Sequence, residues 1–161
     1  MRRWRPGLVA LAILAGCATA RDDVQRVTEG PTAEEIFAAR FQAGFKRQPT
    51  FDETTAFRTQ MDERTSRYLS RNPEVASSPR ASRLRFTRRV SVGMSKAEVL
   101  LLMGEPDATT QDVAVMQRAA GSLWPAIHQR AIEMWSYPGS WRLYFDGSRL
   151  VDLTVVGQPP P

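Results

Sequence analysis

The chain of 161 residues carries 22 basic and 17 acidic side chains, one cysteine and one histidine. One thiol excludes an internal disulfide, and Cys17 with His128 alone falls short of the ligand set of a structural zinc or iron–sulfur site, so no metal or other cofactor is expected. Residues 1–16 hold Arg2, Arg3 and Arg5 and no acid; the remainder has 19 basic against 17 acidic residues, a net of +2, which gives no ground for nucleic-acid binding.

The first element in chain order is a targeting segment. Arg2, Arg3 and Arg5 precede the uncharged apolar stretch Leu8–Leu14 and the small residues Ala15 and Gly16, the layout of a secretory signal over residues 1–16. The apolar run is far below the roughly 20 residues a transmembrane helix needs. Leu14-Ala15-Gly16-Cys17 resembles the lipobox of bacterial lipoproteins, whose cysteine is acylated with diacylglycerol and becomes the mature N-terminus. An ordinary signal peptide with an incidental cysteine is the plainer alternative. The resemblance implies lipidation of Cys17 and, because Ala18 rather than Asp follows it, an outer-membrane anchor with the body facing the periplasm. At about 0.8 kcal/mol per buried CH₂, the three acyl chains it implies hold durably where one chain would not.

Residues 17–31, with Arg21, Asp22, Asp23, Gly30 and Pro31, read as the lipidated terminus and a tether of about 14 residues reaching at most roughly 50 Å. Thr32-Ala33-Glu34-Glu35 is a capping box, and Ile36, Phe37, Phe41 and Phe45 recur at helical spacing, predicting a helix over 33–47. Gln48-Pro49 ends it. Thr50-Phe51-Asp52-Glu53 opens a second helix to about Ser70, with Ala56, Phe57, Met61, Tyr68 and Leu69 on one face and Glu53, Arg58, Asp62, Glu63, Arg64 and Arg67 on the other. Together they predict an antiparallel α-helical hairpin within 32–79. The stripe Phe37, Phe41, Phe45 either packs into the domain's own core or forms a partner-binding face. Asn72-Pro73-Glu74 starts a further helical turn, which Pro79 ends.

Arg80, Arg83, Arg85, Arg88 and Arg89 follow, with no acid between Val75 and Ala97. They read either as a solvated linker or as a contact for anionic headgroups or an acidic partner, worth about 1 kcal/mol per basic residue near such a surface. In VGMSKAEVLLLMGEP, residues 92–106, Ser95 and Glu98 cap each other's backbone, while Gly104, in a left-handed conformation, and Pro106 supply the stop. The resulting helix over 96–103 is so apolar that it must be buried. Within 107–130, Val113, Val115 and Met116 begin an extra helical turn before Gly121, and Trp124-Pro125 forms an extra loop. Ala131–Tyr137, Trp141–Asp146 and Arg149–Val156 are strand-length runs joined by Pro138-Gly139-Ser140 and by Asp146-Gly147, a type I′ hairpin signal. Alternation places Leu143 and Phe145 on one face with Val151, Leu153 and Val155. The fold class is α+β: short helices packed on a three-stranded antiparallel β-meander, preceded by an α-helical hairpin. Residues 158–161 form a short extended tail.

Gly93-Met94-Ser95-Lys96-Ala97-Glu98-Val99, Leu102-Met103-Gly104-Glu105-Pro106, Trp135-Ser136-Tyr137 and Phe145-Asp146-Gly147 resemble the SmpA/OmlA (BamE-like) outer-membrane lipoproteins. The likeness covers roughly 86–156, within a domain over 80–157 carrying the insertion 107–130. It implies two helices on a three-stranded antiparallel sheet and an accessory role in the machine that inserts β-barrels into the outer membrane. The motif residues Gly93, Ser95, Glu98, Gly104, Pro106, Trp135 and Tyr137 read as structural: a cap, a turn and core. The hairpin, the insertion and the arginine stretch depart from the family pattern, marking a divergent member.

Catalysis finds no support in the sequence, which has no HExxH, nucleophile elbow or phosphate-binding glycine loop. The pairs Glu34-Glu35 and Asp62-Glu63 fall on polar helix faces, and a non-enzyme is expected. The functional expectation is a lipid-anchored, periplasm-facing interaction module supporting envelope assembly or integrity, contacting an envelope protein through Phe37, Phe41 and Phe45. The alternative is a module that binds anionic envelope lipid or polymer through Arg80, Arg83 and Arg85.

Overall fold

The computed structural model describes residues 23–157; Cys17, the signal segment 1–16 and the tail 158–161 lie outside the described residues. Chain order is β1 (Val24–Val27), β2 (Glu29–Thr32), α1 (Ala33–Phe45), α2 (Phe51–Arg71), α3 (Pro73–Ala76), α4 (Pro79–Ser82), a π-helical turn over Arg83–Thr87, β3 (Arg89–Ser91), α5 (Lys96–Met103), β4 (Ala108–Thr110), α6 (Val113–Ala120), a 3-10 turn over Gly121–Leu123, α7 (Trp124–Ile127), β5 (Glu133–Tyr137), β6 (Trp141–Asp146) and β7 (Arg149–Val156). The class is mixed α+β. A five-stranded antiparallel sheet, ordered β1-β7-β6-β5-β4, accompanies a two-stranded sheet of β2 and β3, where the sequence predicts three strands.

The first correction concerns the tether. Val24 and Val27 are β-branched residues at a sheet edge, and β1 pairs along β7 with Val24 opposite Val156 and Val27 opposite Leu153. Arg26 forks onto the Asp152 carboxylate of β7 at 2.6–3.0 Å. Asp152 is 5 % exposed, so the pair neutralises a carboxylate that burial alone would penalise. The chain is therefore part of the folded body from Val24 onward.

Hydroxyls set the helix starts. Thr32, Thr50 and Ser95 each accept the backbone N–H of the residue three positions on, and Glu35, Glu53 and Glu98 reach back to the cap. α1 ends at Phe45, with Lys46 left-handed (φ 58°). Met61, Thr65 and Leu69 of α2 are buried, whereas Ala56 is exposed rather than on the inner face. Pro79 does not end the helical region; it opens α4 at the first turn, where its missing N–H has no partner to lose.

The insertion 107–130 acquires more structure than predicted. Thr109 of β4 pairs with Trp135, α6 is capped by Asp112 on the N–H groups of Ala114 and Val115, and Trp124-Pro125 begins α7 instead of a loop. At the β6–β7 hairpin, Asp146 pairs with Arg149 and only Gly147 of the connection has positive φ, 57°. That pattern belongs to a type II′ turn with glycine first, not the predicted type I′.

The register of β7 carries a further correction. Tyr144 lies opposite Asp152 but Phe145 opposite Leu150, so Val151 is an extra, bulged residue. The bulge puts Leu150 and Leu153 on the face of Leu143 and Phe145 and sends Val151 to the other side. Each face has its own core. One joins Leu143, Phe145, Trp135 and Tyr137 to Ile36 of α1, Met61 and Leu69 of α2, and Val99 and Leu102 of α5. The other joins Met134, Tyr144 and Val151 to Met116, Ala120 and Ile127 of the insertion. Helices α1 and α2 thus share one core with the sheet across the predicted boundary at residue 80, and the insertion covers a sheet face that would otherwise meet water.

Candidate functional site

A helix leaves its last carbonyls without intrahelical partners, and the end of α5 is completed by other elements. Gly104 adopts φ 68°, ψ −165°, a region essentially closed to residues with a Cβ; its φ is positive as predicted, but its ψ departs from the left-handed helical cap. Arg40 of α1 donates to Met103 O at 2.8 Å and to Glu105 O, Arg64 of α2 donates to Leu101 O at 2.9 Å, and Tyr137 Oη donates to Gly104 O at 2.9 Å. Burial pushes the Tyr137 pKa up, which keeps the phenol a donor. Two guanidinium groups at the negative end of a helix also complement its dipole.

Above this junction lies a groove of about 330 Å³, lined by Phe37, Phe41, Phe45, Phe57, Leu102 and Met103 among others. Phe37 stacks on Phe57 at 4.3 Å with an interplanar angle of 9°. Phe41 follows at 5.7 Å from Phe37, and Phe45 at 4.5 Å from Phe41. Phe37 and Phe41 are half-buried, while Phe45 is 67 % exposed. The first end of the aromatic stripe therefore packs against α2, and its last ring stays exposed. Arg47 lies 4.8 Å from the Phe41 ring centroid and binds Glu53 through two 2.8 Å hydrogen bonds. With the Thr50 N–H, this holds the Glu53 carboxyl down to about 2.

The arginine stretch is not a solvated linker, because most of it is bound into the fold. Arg88, whose side chain is 13 % exposed, bridges Glu34 of α1 and Asp62 of α2 at 2.7 Å each. Arg89 donates to Gly30 O at 2.9 Å, and Arg83 to Ser91 Oγ at 3.1 Å. Arg80 lies 3.6 Å from Glu98. Within the cluster Arg85 makes no ion pair or side-chain hydrogen bond among the described residues.

The motif residues are distributed through this framework. Gly93, at φ 95°, donates its N–H to Leu150 O, and Lys96 donates its backbone N–H to Ser148 O, both at 2.8 Å, docking the start of α5 on the β6–β7 hairpin. Glu98 is fully buried; one carboxylate oxygen accepts the Ser95 N–H at 2.7 Å and the other has no hydrogen-bond partner. Trp135 packs on Phe145 at 4.5 Å, with Lys96 Nζ 5.4 Å from both rings. Pro106 is half-buried between α5 and β4.

Two groups carry more than the sequence reading assigns them. Arg40, one residue before Phe41, secures the groove floor. Arg64, Arg67 and Arg71, with Tyr68 and Leu101, line a second depression of about 270 Å³; their three- and four-residue spacing is the signal that places them on one helical face. His128 follows the last residue of α7, its Nδ1 3.1 Å from Trp124 O. Among the described residues no group of three or more His, Cys, Asp or Glu side chains is placed to hold a metal ion, and no helix is long and apolar enough to cross a membrane. Comparison with protein-family models, with curated proteins and with solved structures finds no match.

Proposed function

We propose that this chain is a lipid-anchored, periplasm-facing interaction module of the bacterial outer membrane, supporting envelope assembly or integrity beside a larger protein partner. The carrying observation is the open end of the aromatic groove. Phe45 leaves a large apolar ring in water beside rings already stacked and held, so a partner's apolar side chain gains about 25 cal/mol for each Å² it covers there. The rigid floor favours docking because little has to be ordered on binding. The likeness to the SmpA/OmlA (BamE-like) lipoproteins supports an accessory role. The antiparallel pairing of β5, β6 and β7 with α5 over them is compatible with that family's three-stranded core, to which β1, β4 and the insertion are additions. With β1 in the sheet, Cys17 to Val24 spans at most about 25 Å, which keeps the body near the membrane that an acylated Cys17 would enter.

Two readouts from one bacterial preparation test this. The mature N-terminus should be Cys17 carrying acyl mass, with Cys17→Ala left unprocessed. Phe45→Ser should leave melting unchanged yet lose the envelope protein that the full chain retains in detergent. An unacylated N-terminus elsewhere removes the anchor, and retention indifferent to Phe45 removes the groove. Retention that instead disappears with Arg85→Gln and with added salt favours the anionic-surface reading through Arg80, Arg83 and Arg85.

A further inference from the structure

The seam between α2 and α5 does not end with the aromatic groove. Phe57 lies in the groove, Arg64 lines both depressions, and Arg67, Tyr68 and Arg71 continue along α2 beside Leu101 of α5. At 1.5 Å per residue, Phe57 to Arg71 covers about 21 Å and Arg64 to Arg71 about 10 Å. One end of the seam is aromatic and the other cationic.

These three arginines differ from others nearby. Arg40, Arg47, Arg58 and Arg88 each have a carboxylate within 4.0 Å. Among the described residues, Arg64 has only the Leu101 carbonyl, Arg67 only the carbonyl of Glu63 on its own helix at 3.4 Å, and Arg71 makes no side-chain hydrogen bond. Like charges three and four residues apart on a helix repel, and a bound anion would relieve that repulsion.

Resting on the docking role proposed above, we infer that this seam takes an acidic segment of the partner protein, with an apolar side chain over Phe41, Phe45 and Phe57 and two or more carboxylates along Arg64, Arg67 and Arg71. Arginine offers carboxylates a paired-donor fork, and guanidinium groups spread over two helical turns match carboxylates spaced along a peptide better than a single headgroup phosphate.

The test is selection from a random twelve-residue peptide library on the full chain in detergent, in parallel with Arg67→Glu/Arg71→Glu. Both arginines are exposed and neither is paired to a carboxylate, so the variant should stay folded with only the small loss expected from reversing Arg71 in the last turn of α2; Arg67→Gln/Arg71→Gln serves if it does not. The parent should enrich peptides with an apolar residue followed or preceded by Asp and Glu, weakened about tenfold by the charge reversal, and the reversed chain should enrich Lys and Arg instead. No enrichment, or the same consensus on both chains, would overturn the inference. Selection lost with Phe45→Ser but indifferent to the arginines would keep the groove and overturn the acidic assignment. Phosphatidylglycerol vesicles bound only through these arginines, without charge-dependent peptide selection, would assign the seam to lipid.

Discussion

Replacing Gly104 by alanine probes the junction on which the groove rests. At φ 68°, ψ −165° a residue with a Cβ costs about 1–3 kcal/mol. The added carbon would lie 3.2 Å from Arg40 Nη1, so the guanidinium that holds the Met103 and Glu105 carbonyls must shift by a few tenths of an ångström. Hydrogen bonds from a charged donor contribute about 1.5–3 kcal/mol each when water is excluded. The Arg40 side chain is 36 % exposed and water can replace it, so about 1 kcal/mol is the appropriate share. The total is a loss of about 2–4 kcal/mol, read as a lower urea midpoint at unchanged slope. In an Arg40→Met background the guanidinium share drops out, leaving a coupling of about 1 kcal/mol in the double-mutant cycle. A loss below about 0.5 kcal/mol for Gly104→Ala would refute the backbone assignment, and an additive cycle would refute displacement of Arg40.

Arg26→Ala leaves Asp152 buried without its cation. Removing one partner of a fully buried pair costs about 3–5 kcal/mol, but the Arg26 side chain is 49 % exposed, so about 2 kcal/mol is expected, with faster amide exchange across β1; unchanged exchange there would return residues 24–27 to the tether. Glu53, held by Arg47, titrates at about 2 instead of 4.5. Its folded pKa lies below the unfolded one, so its stabilising contribution is present above about pH 4.5 and lost as pH falls toward 2. A carboxyl NMR titration should show that midpoint and its rise in Arg47→Gln; an ordinary midpoint in the parent would deny the ion pair.

Local chemistry was the legible part of the sequence. Thr32, Thr50 and Ser95 fix helix starts through contacts only three residues long, and β-branched and aromatic alternation marks β5 to β7. The tether misleads because β1 has only four residues and its partner, β7, lies more than 120 positions away. Val151 changes face because a bulge shifts the period of two, and bulges follow from pairing, not composition. The groove was half legible: helical spacing aligns Phe37, Phe41 and Phe45, but which ring stays open depends on where α2 and α5 cross α1. Arg64 and Arg67 read as a solvated face because nothing local announces the α5 carbonyl end or the depression they share with Arg71.

Photocrosslinking in intact cells tests the docking role most directly. A benzoylphenylalanine placed at Phe45 should give one dominant adduct with an envelope protein. The same probe at Phe51 or Phe86, which are 81 % and 80 % exposed but do not line the groove, should give none. Equal adducts at all three positions, or none at Phe45 while the acylated chain resides in the outer membrane, would contradict the account.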